Sequence, residues 1–390
     1  MVRDEWKPLS LRNLCELKYG KSPKETVLTE SGFPIVGTSG VVGYSEKPLF
    51  QAPLIMVGRK GTIDKPLFIQ DDCWIIDTAY GLLADNSAAD IKWLFYFLSN
   101  YGLGKLNEAT GVPSLSRDNL YNIEVLTPPL PEQRKIAAIL TSVDDAITAT
   151  QRIIDQTEVV KHGLMQQLLT RGIGHTTFKQ TEIGEIPAEW DVIRLEEIAT
   201  VERGKFSHRP RNDSKFYGGN IPFVQTGDVT KAIGYLESHS QTLNELGLSV
   251  SRSFPKGTIL VTIAANIGET AIATYDVCFP DSLVGVIPNS VVNGEYLELA
   301  LRMKKDVLDK DATRSAQKNI NLQNLRPLLI PLPSFEEQKK IAGTIYGLES
   351  RIYYEKHYIS RLLTLKQSLM QVLLTGKVRV HVDSPSEVLV

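Results

Sequence analysis

Five segments of the 390-residue chain combine cationic or amide side chains with small or hydroxyl residues at close spacing, four of them containing glycine. The clearest is Val57-Gly58-Arg59-Lys60-Gly61-Thr62, followed by Thr110-Gly111-Val112-Pro113-Ser114-Leu115-Ser116-Arg117. Further along come Arg203-Gly204-Lys205-Phe206-Ser207-His208-Arg209-Pro210-Arg211, Gln225-Thr226-Gly227-Asp228 and Thr313-Arg314-Ser315-Ala316-Gln317-Lys318-Asn319. The chemistry these types can do is contact with nucleic acid. Glycine lets a backbone approach phosphate, arginine reads guanine, and asparagine or glutamine reads adenine. The candidate contact residues are Lys21, Thr38, Ser39, Arg59, Lys60, Thr62, Ser114, Ser116 and Arg117 in the first half of the chain. In the second half they are Lys205, His208, Arg209, Arg211, Gln225, Thr226, Asn266, Arg314, Gln317 and Lys318. A charged glycine loop is usually a solvated turn, and each segment alone says little. Their recurrence in two halves of the chain says more.

Lys and Arg number 43 against 45 Asp and Glu, a formal net charge of -2. Coating of nucleic acid through bulk charge is thereby excluded, and any such site is a local patch. With 42% hydrophobic and 23% charged residues the chain is globular, and its length suits two or three domains. The three cysteines (Cys15, Cys73, Cys278) lack CxxC spacing and neighbouring histidine, which argues against zinc or a disulfide framework. The opening residues have no apolar signal stretch, and no apolar run is long enough to span a bilayer; a cytoplasmic protein is expected.

Signatures of catalysis are weak throughout. Gly20-Lys21-Ser22 resembles the end of a P-loop, but Cys15 stands where its first glycine belongs. Thr127-Pro128-Pro129-Leu130 lacks the amide or acid and the aromatic ring of the amino-methyltransferase motif. No GxGxxG follows a strand, Pro280-Asp281 has no acid-x-Lys nearby, and the six scattered histidines offer no plausible pairing with a Ser or Cys nucleophile in sequence. The reading is a non-catalytic chain without a cofactor.

The elements that must position the loops are written as a repeat. Glu132-Gln133-Arg134-Lys135-Ile136-Ala137 returns 205 residues later as Glu337-Gln338-Lys339-Lys340-Ile341-Ala342. The same shift carries Leu164-Met165-Gln166-Gln167-Leu168-Leu169-Thr170 onto Leu369-Met370-Gln371-Val372-Leu373-Leu374-Thr375. Residues 6–21 align more loosely with 190–205, and Pro34-Ile35-Val36-Gly37-Thr38 with Pro222-Phe223-Val224-Gln225-Thr226. The plan is a large unit duplicated, variable region then near-constant segment.

In each constant segment apolar residues step by four and three. The steps run from Ile136 through Leu140, Val143, Ile147, Thr150, Ile154, Thr157, Lys161 and Leu164 to Leu168. The second set is Ile341, Ile345, Leu348, Ile352, Glu355, Ile359, Leu362, Lys366, Leu369 and Leu373. This is a coiled-coil seam, opened after prolines and closed near Gly172 and Gly376. A helix of about 40 residues is about 60 Å long, too long to hide its stripe on one small domain. The two helices are expected to pair antiparallel, each returning to a globular domain of the same kind. Homodimerisation, or packing of each stripe on its own domain, is the alternative. The variable regions read as mixed α and β, with strands near 53–57, 67–76, 258–263 and 277–287 and helices near 88–100 and 294–305.

The fold expected is α+β: two mixed α/β domains, 1–129 and 190–332, separated by two long antiparallel coiled-coil helices, 130–172 and 333–376. Residues 173–189 read as a crossover linker and 377–390 as a mobile tail.

Taken together these residues resemble the specificity subunit of type I restriction–modification systems. The resemblance rests on the proline-led Leu130-Pro131-Glu132-Gln133-Arg134-Lys135-Ile136-Ala137 and Pro333-Ser334-Phe335-Glu336-Glu337-Gln338-Lys339-Lys340-Ile341-Ala342. It rests also on the helix end at Leu164-Met165-Gln166-Gln167-Leu168-Leu169-Thr170, on Gly184-Glu185-Ile186-Pro187-Ala188-Glu189-Trp190 and on Gly58-Arg59-Lys60-Gly61-Thr62. It implies two target-recognition domains, each reading half of a split, asymmetric duplex DNA target, with the helices as a ruler. It implies methylation and cleavage by partners, two methyltransferase subunits and motor-nuclease subunits, around a single specificity subunit with no membrane role. One departure stands out: Ala264-Ala265-Asn266-Ile267-Gly268 replaces the basic loop in the second domain, where the cations of 203–211 are expected to compensate. A coiled-coil scaffold with protein-binding lateral domains is the competing function.

Overall fold

Prolines and glycines bound two long helices in the computed structural model, which describes residues 6–264, 266–313 and 320–382. The first helix is Leu130–Arg171, starting beyond Pro128-Pro129, and the second is Phe335–Leu373, starting beyond Pro333. Gly172 and Gly376, with φ of 64° and 72°, take the left-handed conformation that stops each one. No helix among the described residues is long and apolar enough to cross a membrane.

The chain divides into two compact units. One holds the described residues up to Gln151 and from His357 on; the other is Arg152–Lys356. Each long helix thus gives one part to each unit. In the first unit, Ile136 and Leu140 from the start of the first helix share a core with Met370, Leu373 and Leu374 from the end of the second. In the second unit, Met165, Leu168 and Leu169 from the end of the first helix meet Ile341, Ala342 and Ile345 from the start of the second. Start meets end in both, so the helices are antiparallel. Every expected seam position is buried or half-buried. The two seam lysines each find an acid on the other helix: Lys366 Nζ lies 2.6 Å from Asp144 and Lys161 Nζ 3.7 Å from Glu349. Asp144 and Glu349 are themselves 205 residues apart, so the repeat carries the ion pair as well as the apolar stripe.

The mixed α/β parts repeat one plan. In the first unit Cys15–Tyr19, Ala79–Ala84, Leu54–Gly58 and Leu67–Ile69 form one antiparallel sheet in that order. A second sheet runs Leu28–Thr29, Gly40–Ser45, Phe33–Gly37, Trp74–Ile75, its last pairing parallel. In the second unit the corresponding sheets are Ala199–Arg203, Leu283–Pro288, Ile259–Thr262, Thr270–Ala273, Tyr235–Leu236 and Gln241–Leu243, Tyr217–Phe223, Val277–Cys278, Ser253–Phe254. Helices Ile91–Tyr101 and Gly294–Met303, capped by Asp90 and Asn293, cover the first-named sheet of each unit.

Four expectations need correction. The run at 67–76 is two strands in different sheets, broken where Asp72 Oδ1 accepts the Ala52 N–H at 2.8 Å. The run at 277–287 is likewise split, by a turn closed from Leu283 N–H to Pro280 C=O at 3.1 Å. Residues 173–189 contain a hairpin, Phe178–Thr181 with Gly184–Pro187, whose turn needs the positive φ of Gly184. The tail beyond Lys377 is tied down as far as Val380, which packs on the core, while its Asp383-Ser384-Pro385-Ser386 lies outside the described residues.

The tie is at Glu132, where the repeat begins. Its carboxylate accepts from Trp6 Nε1 (3.0 Å), Arg379 Nη2 (2.7 Å) and Val380 N–H (3.1 Å). Its counterpart Glu337 accepts from Trp190 Nε1 (3.1 Å) and the Ile173 N–H (2.9 Å), and meets His175 at 2.9 Å. Next door, Gln133 accepts the Asp90 N–H at 2.8 Å and donates to Ala88 and Pro128 carbonyls. Gln338 does the same with the Asn293 N–H at 2.7 Å and the carbonyls of Val291 and Pro333. These glutamines join the helix start to the loop before the domain helix. That is a physical reason for both copies to keep Glu-Gln at this point.

Among the described residues, a second buried network occurs in the second unit alone. Glu298 is fully buried, and burial raises its pKa against the opposing pull of Arg302. Arg302 Nη2 reaches both its oxygens at 2.8 Å, Thr270 Oγ1 donates at 2.6 Å and Tyr346 Oη at 2.9 Å. Arg302 also bonds Glu349, the acid paired with Lys161. Sheet, domain helix and both long helices are thereby joined through one guanidinium.

Arg302→Met strands the Glu298 charge and is expected to cost about 3–5 kcal/mol, measured by denaturant unfolding. Glu132→Gln is expected to cost about 1–3 kcal/mol at neutral pH. Burial opposes ionisation of Glu132, but the bonds from Arg379, Trp6 and Val380 outweigh it and hold the pKa below its ordinary value. Stability from this carboxylate is therefore present above the ordinary glutamate pKa of about 4.3 and lost as pH falls through the lower folded value. The gap between wild type and Glu132→Gln should close in acid; a gap independent of pH would contradict this account.

Candidate nucleic-acid interface

In the first unit the two glycine-bearing loops are zipped together. Strand Leu54–Gly58 turns sharply at Gly58, where a Cβ would come within 2.0 Å of the Thr62 carbonyl. Gly61, at φ 85°, completes the turn. Leu115 N–H donates to Arg59 C=O and Gly61 N–H to Pro113 C=O, both at 2.9 Å, and Lys60 pairs with Ser114 across a β-bridge. Asn107 Oδ1 braces the second loop by accepting the Ser114 N–H at 2.9 Å. Arg59, Lys60, Thr62, Ser114, Ser116 and Arg117 thus belong to one ribbon. Ser116 spends its hydroxyl capping helix Arg117–Tyr121, accepting the Asn119 N–H at 3.1 Å. Its role is to aim Arg117.

Two arginines flank one ring. The guanidinium carbons of Arg59 and Arg117 lie 5.6 and 5.5 Å from the centroid of Tyr19, which remains 45% exposed. Arg12 sits 4.6 Å from the ring of Tyr121. Arg59 Nε is buried with no hydrogen-bond partner among the described residues, so the ring face is what holds that arm. Beneath, Tyr80 donates to Leu115 C=O at 3.1 Å, and burial pushes its phenol up to about 12. Thr38 lies against Gly58, Ser39 is exposed in the turn after Phe33–Gly37, and Lys21 is exposed, its backbone bonded to Ile75 and Trp74. Tyr19, Arg12 and Tyr121 were not among the expected residues. Tyr19, next to Gly20-Lys21, carried the only local signal.

The second unit solves the same place differently. Gly204 lets the chain pass against Phe279 and Pro280, where a Cβ would meet Pro280 C=O at 2.3 Å. Lys205 follows, exposed, with its N–H on Phe279 C=O at 3.0 Å and no acid partner among the described residues. The other cations are largely neutralised by acids from elsewhere. Arg209 Nη1 donates to the carbonyls of Phe206 (2.7 Å) and His208 (2.8 Å), stapling its own loop. Its other arm and Arg211 both pair with Asp281. His208 lies 4.3 Å from the Phe216 ring and 3.4 Å from Asp213. The compensation expected of residues 203–211 is therefore smaller than their number of cations suggests.

Arg211 opens on a groove of about 520 Å³ whose polar wall also includes Asn212, Ser214, Gln225 and Gln241. Gln225 Nε2 donates to Gln241 Oε1 at 2.9 Å. Thr226 bonds Ser282 at 3.4 Å beside it. Gln241 was missed because nothing in its own neighbourhood marks it; strand pairing brings it opposite Phe223, two residues before Gln225. Asn266 is exposed in the turn between Ile259–Thr262 and Thr270–Ala273 and does not line this groove. Arg314, Gln317 and Lys318 lie outside the described residues. No group of three or more metal-ligating side chains occurs among those described.

A family model described as type I restriction modification DNA specificity domain matches residues 3–159 and again 187–364. The chain is 29% identical over 343 residues to the type I restriction enzyme MjaVIII specificity subunit of Methanocaldococcus jannaschii, spanning 84% of this chain and 76% of that one. It is 21% identical over 415 residues to the EcoBI specificity subunit of Escherichia coli, covering 96% and 87%. Its fold is similar to that of the type I restriction–modification S subunit from M. genitalium, with a TM-score of 0.67 at 16% identity over 96% and 97% of the two chains. With the family model matched twice, once on each copy of the repeat, the chain belongs to the type I restriction–modification DNA specificity family and is the DNA-recognition subunit of such a system.

Proposed function

We propose that residues 1–129 and 190–332 are two target-recognition domains, each reading one half of a split, asymmetric duplex target. The long helices, 130–172 and 333–376, set the unread spacer between the halves, and 173–189 joins them. The observation that carries this is one scaffold bearing two different surfaces: an arginine–tyrosine ribbon in the first unit and an amide-lined groove in the second. Readers that differ on supports that match are what an asymmetric target requires.

The chain itself carries no reaction in this reading. Adenine methylation belongs to two methyltransferase subunits and cleavage to motor-nuclease subunits, assembled in the cytoplasm around one copy of this chain. Each half-site contributes modest discrimination, about 1–3 kcal/mol per base pair, and linkage combines them. With its net charge of -2 the chain is a weak DNA binder alone and gains affinity in the assembly. Exposed Lys60 and Lys205 suit phosphate contact, while Arg59 and Arg117 are placed by ring contacts for more selective work.

Methylome sequencing of a methylation-free host expressing this chain with its methyltransferase subunit is expected to show a split motif with methyladenine on both strands. The motif disappears when this chain is omitted. Exchanging residues 1–127 for those of another specificity subunit should change one half-site only, and a heptad added to each long helix should alter the spacer or abolish recognition. Change in both half-sites on the single exchange rules out two independent readers. An assembled complex that methylates nothing favours a scaffold with protein-binding domains.

A further inference from the structure

The groove of the second unit contains a polar pair whose geometry is more selective than its charge. Gln225 is the residue before helix Thr226–Lys231, yet its side chain makes no cap bond; its backbone N–H is held by Asp228 Oδ2 at 2.8 Å. Asp228 is in turn fixed by Ser240 Oγ at 2.9 Å. The side chain of Gln225 reaches instead across to Gln241, whose strand pairs regularly with Ile221, Pro222 and Phe223. Both ends of the pair therefore rest on regular elements.

A primary amide has one carbonyl and two N–H groups. With the N–H that lies trans to its own carbonyl spent on Gln241, the carbonyl oxygen and the cis N–H of Gln225 stand side by side in one plane. An acceptor beside a donor matches the major-groove edge of adenine, which offers the N6 amino group beside N7. Guanine shows two acceptors there, cytosine a single donor, and thymine an acceptor and a methyl group. Arg211, in the same groove, has its charge balanced by Asp281, so the wall does not hold DNA by charge alone.

We infer that Gln225 reads an A·T pair in the half-site of the second domain and that Gln241 is its positioning residue. The inference rests on the DNA-reading role proposed above.

The test uses the chain assembled with its partner subunits. Base preference is read by methylome sequencing and by binding of the purified complex to four duplexes that differ at one position. Wild type is expected to require A·T at one position of the second half-site. Gln225→Glu, with acceptors only, shifts that preference toward C·G by about tenfold. Gln241→Leu relaxes discrimination there about tenfold, and Gln241→Glu, which keeps an accepting oxygen, retains it. The first half-site stays unchanged in all three. The duplex measurement decides the matter for any variant that binds DNA but no longer supports methylation. Unchanged preference in Gln225→Glu, or a change in the first half-site, overturns the inference. A wild-type complex with no split motif overturns the two-reader proposal instead.

Discussion

A glutamate and a glutamine stand side by side at the start of each long helix, Glu132, Gln133 and Gln338 buried and Glu337 half-buried. Buried groups of this kind are costly unless every polar atom is partnered, so they dictate what surrounds them. Glu132 requires the indole of Trp6 and the N–H of Val380; Glu337 requires the indole of Trp190 and the N–H of Ile173. The glutamines reach the loops ahead of the two domain helices. Each pair thus ties together the beginning of a domain, its covering helix, the start of one long helix and the residues that follow the other. The presence of Glu-Gln at the helix start in both copies has this physical reason.

What the scaffold holds constant frees the loops to differ. After the strand Leu54–Gly58 the first unit places a basic turn, and after the equivalent strand Ile259–Thr262 the second places a turn without cations. The backbone relation is nevertheless kept: Leu115 donates to Arg59, and Ile320 donates to Ile263, 205 residues on from Leu115. The same hydrogen bond carries different side chains to the surface. The first unit presents guanidinium and phenol groups, the second amides in a groove. Ring contacts hold the planes of Arg59 and Arg117, and a neighbouring amide holds Gln225.

The Glu298–Arg302–Glu349 network gives the second unit a connection that the first makes more simply. There Tyr96 Oη meets Asp144 at 2.7 Å, without a buried carboxylate. Both arrangements carry the domain helix onto the acid that faces the seam lysine of the opposite helix. Satisfied buried polar groups at this place supply rigidity as well as stability.

The duplication, the long helices, their antiparallel pairing and the α+β class were legible in the sequence. A 205-residue shift and a 3.5-residue period are local patterns that hydrophobic burial enforces wherever they occur. The loops at Arg59 and Ser114 were legible too, since glycine and cation spacing mark them. Contacts between residues far apart in the chain were not. Asp281 removes much of the charge of Arg209 and Arg211 from 72 and 70 residues away, Gln241 enters the groove through strand register, and Tyr19 is framed by arginines from two other elements. The sequence by itself determined the duplicated α+β plan and its two long helices, because periodicity and backbone restriction act over a few residues. Only the tertiary structure decided which of the loop side chains remain available, because a charge or an amide is spent or left free by partners that chain folding alone brings near.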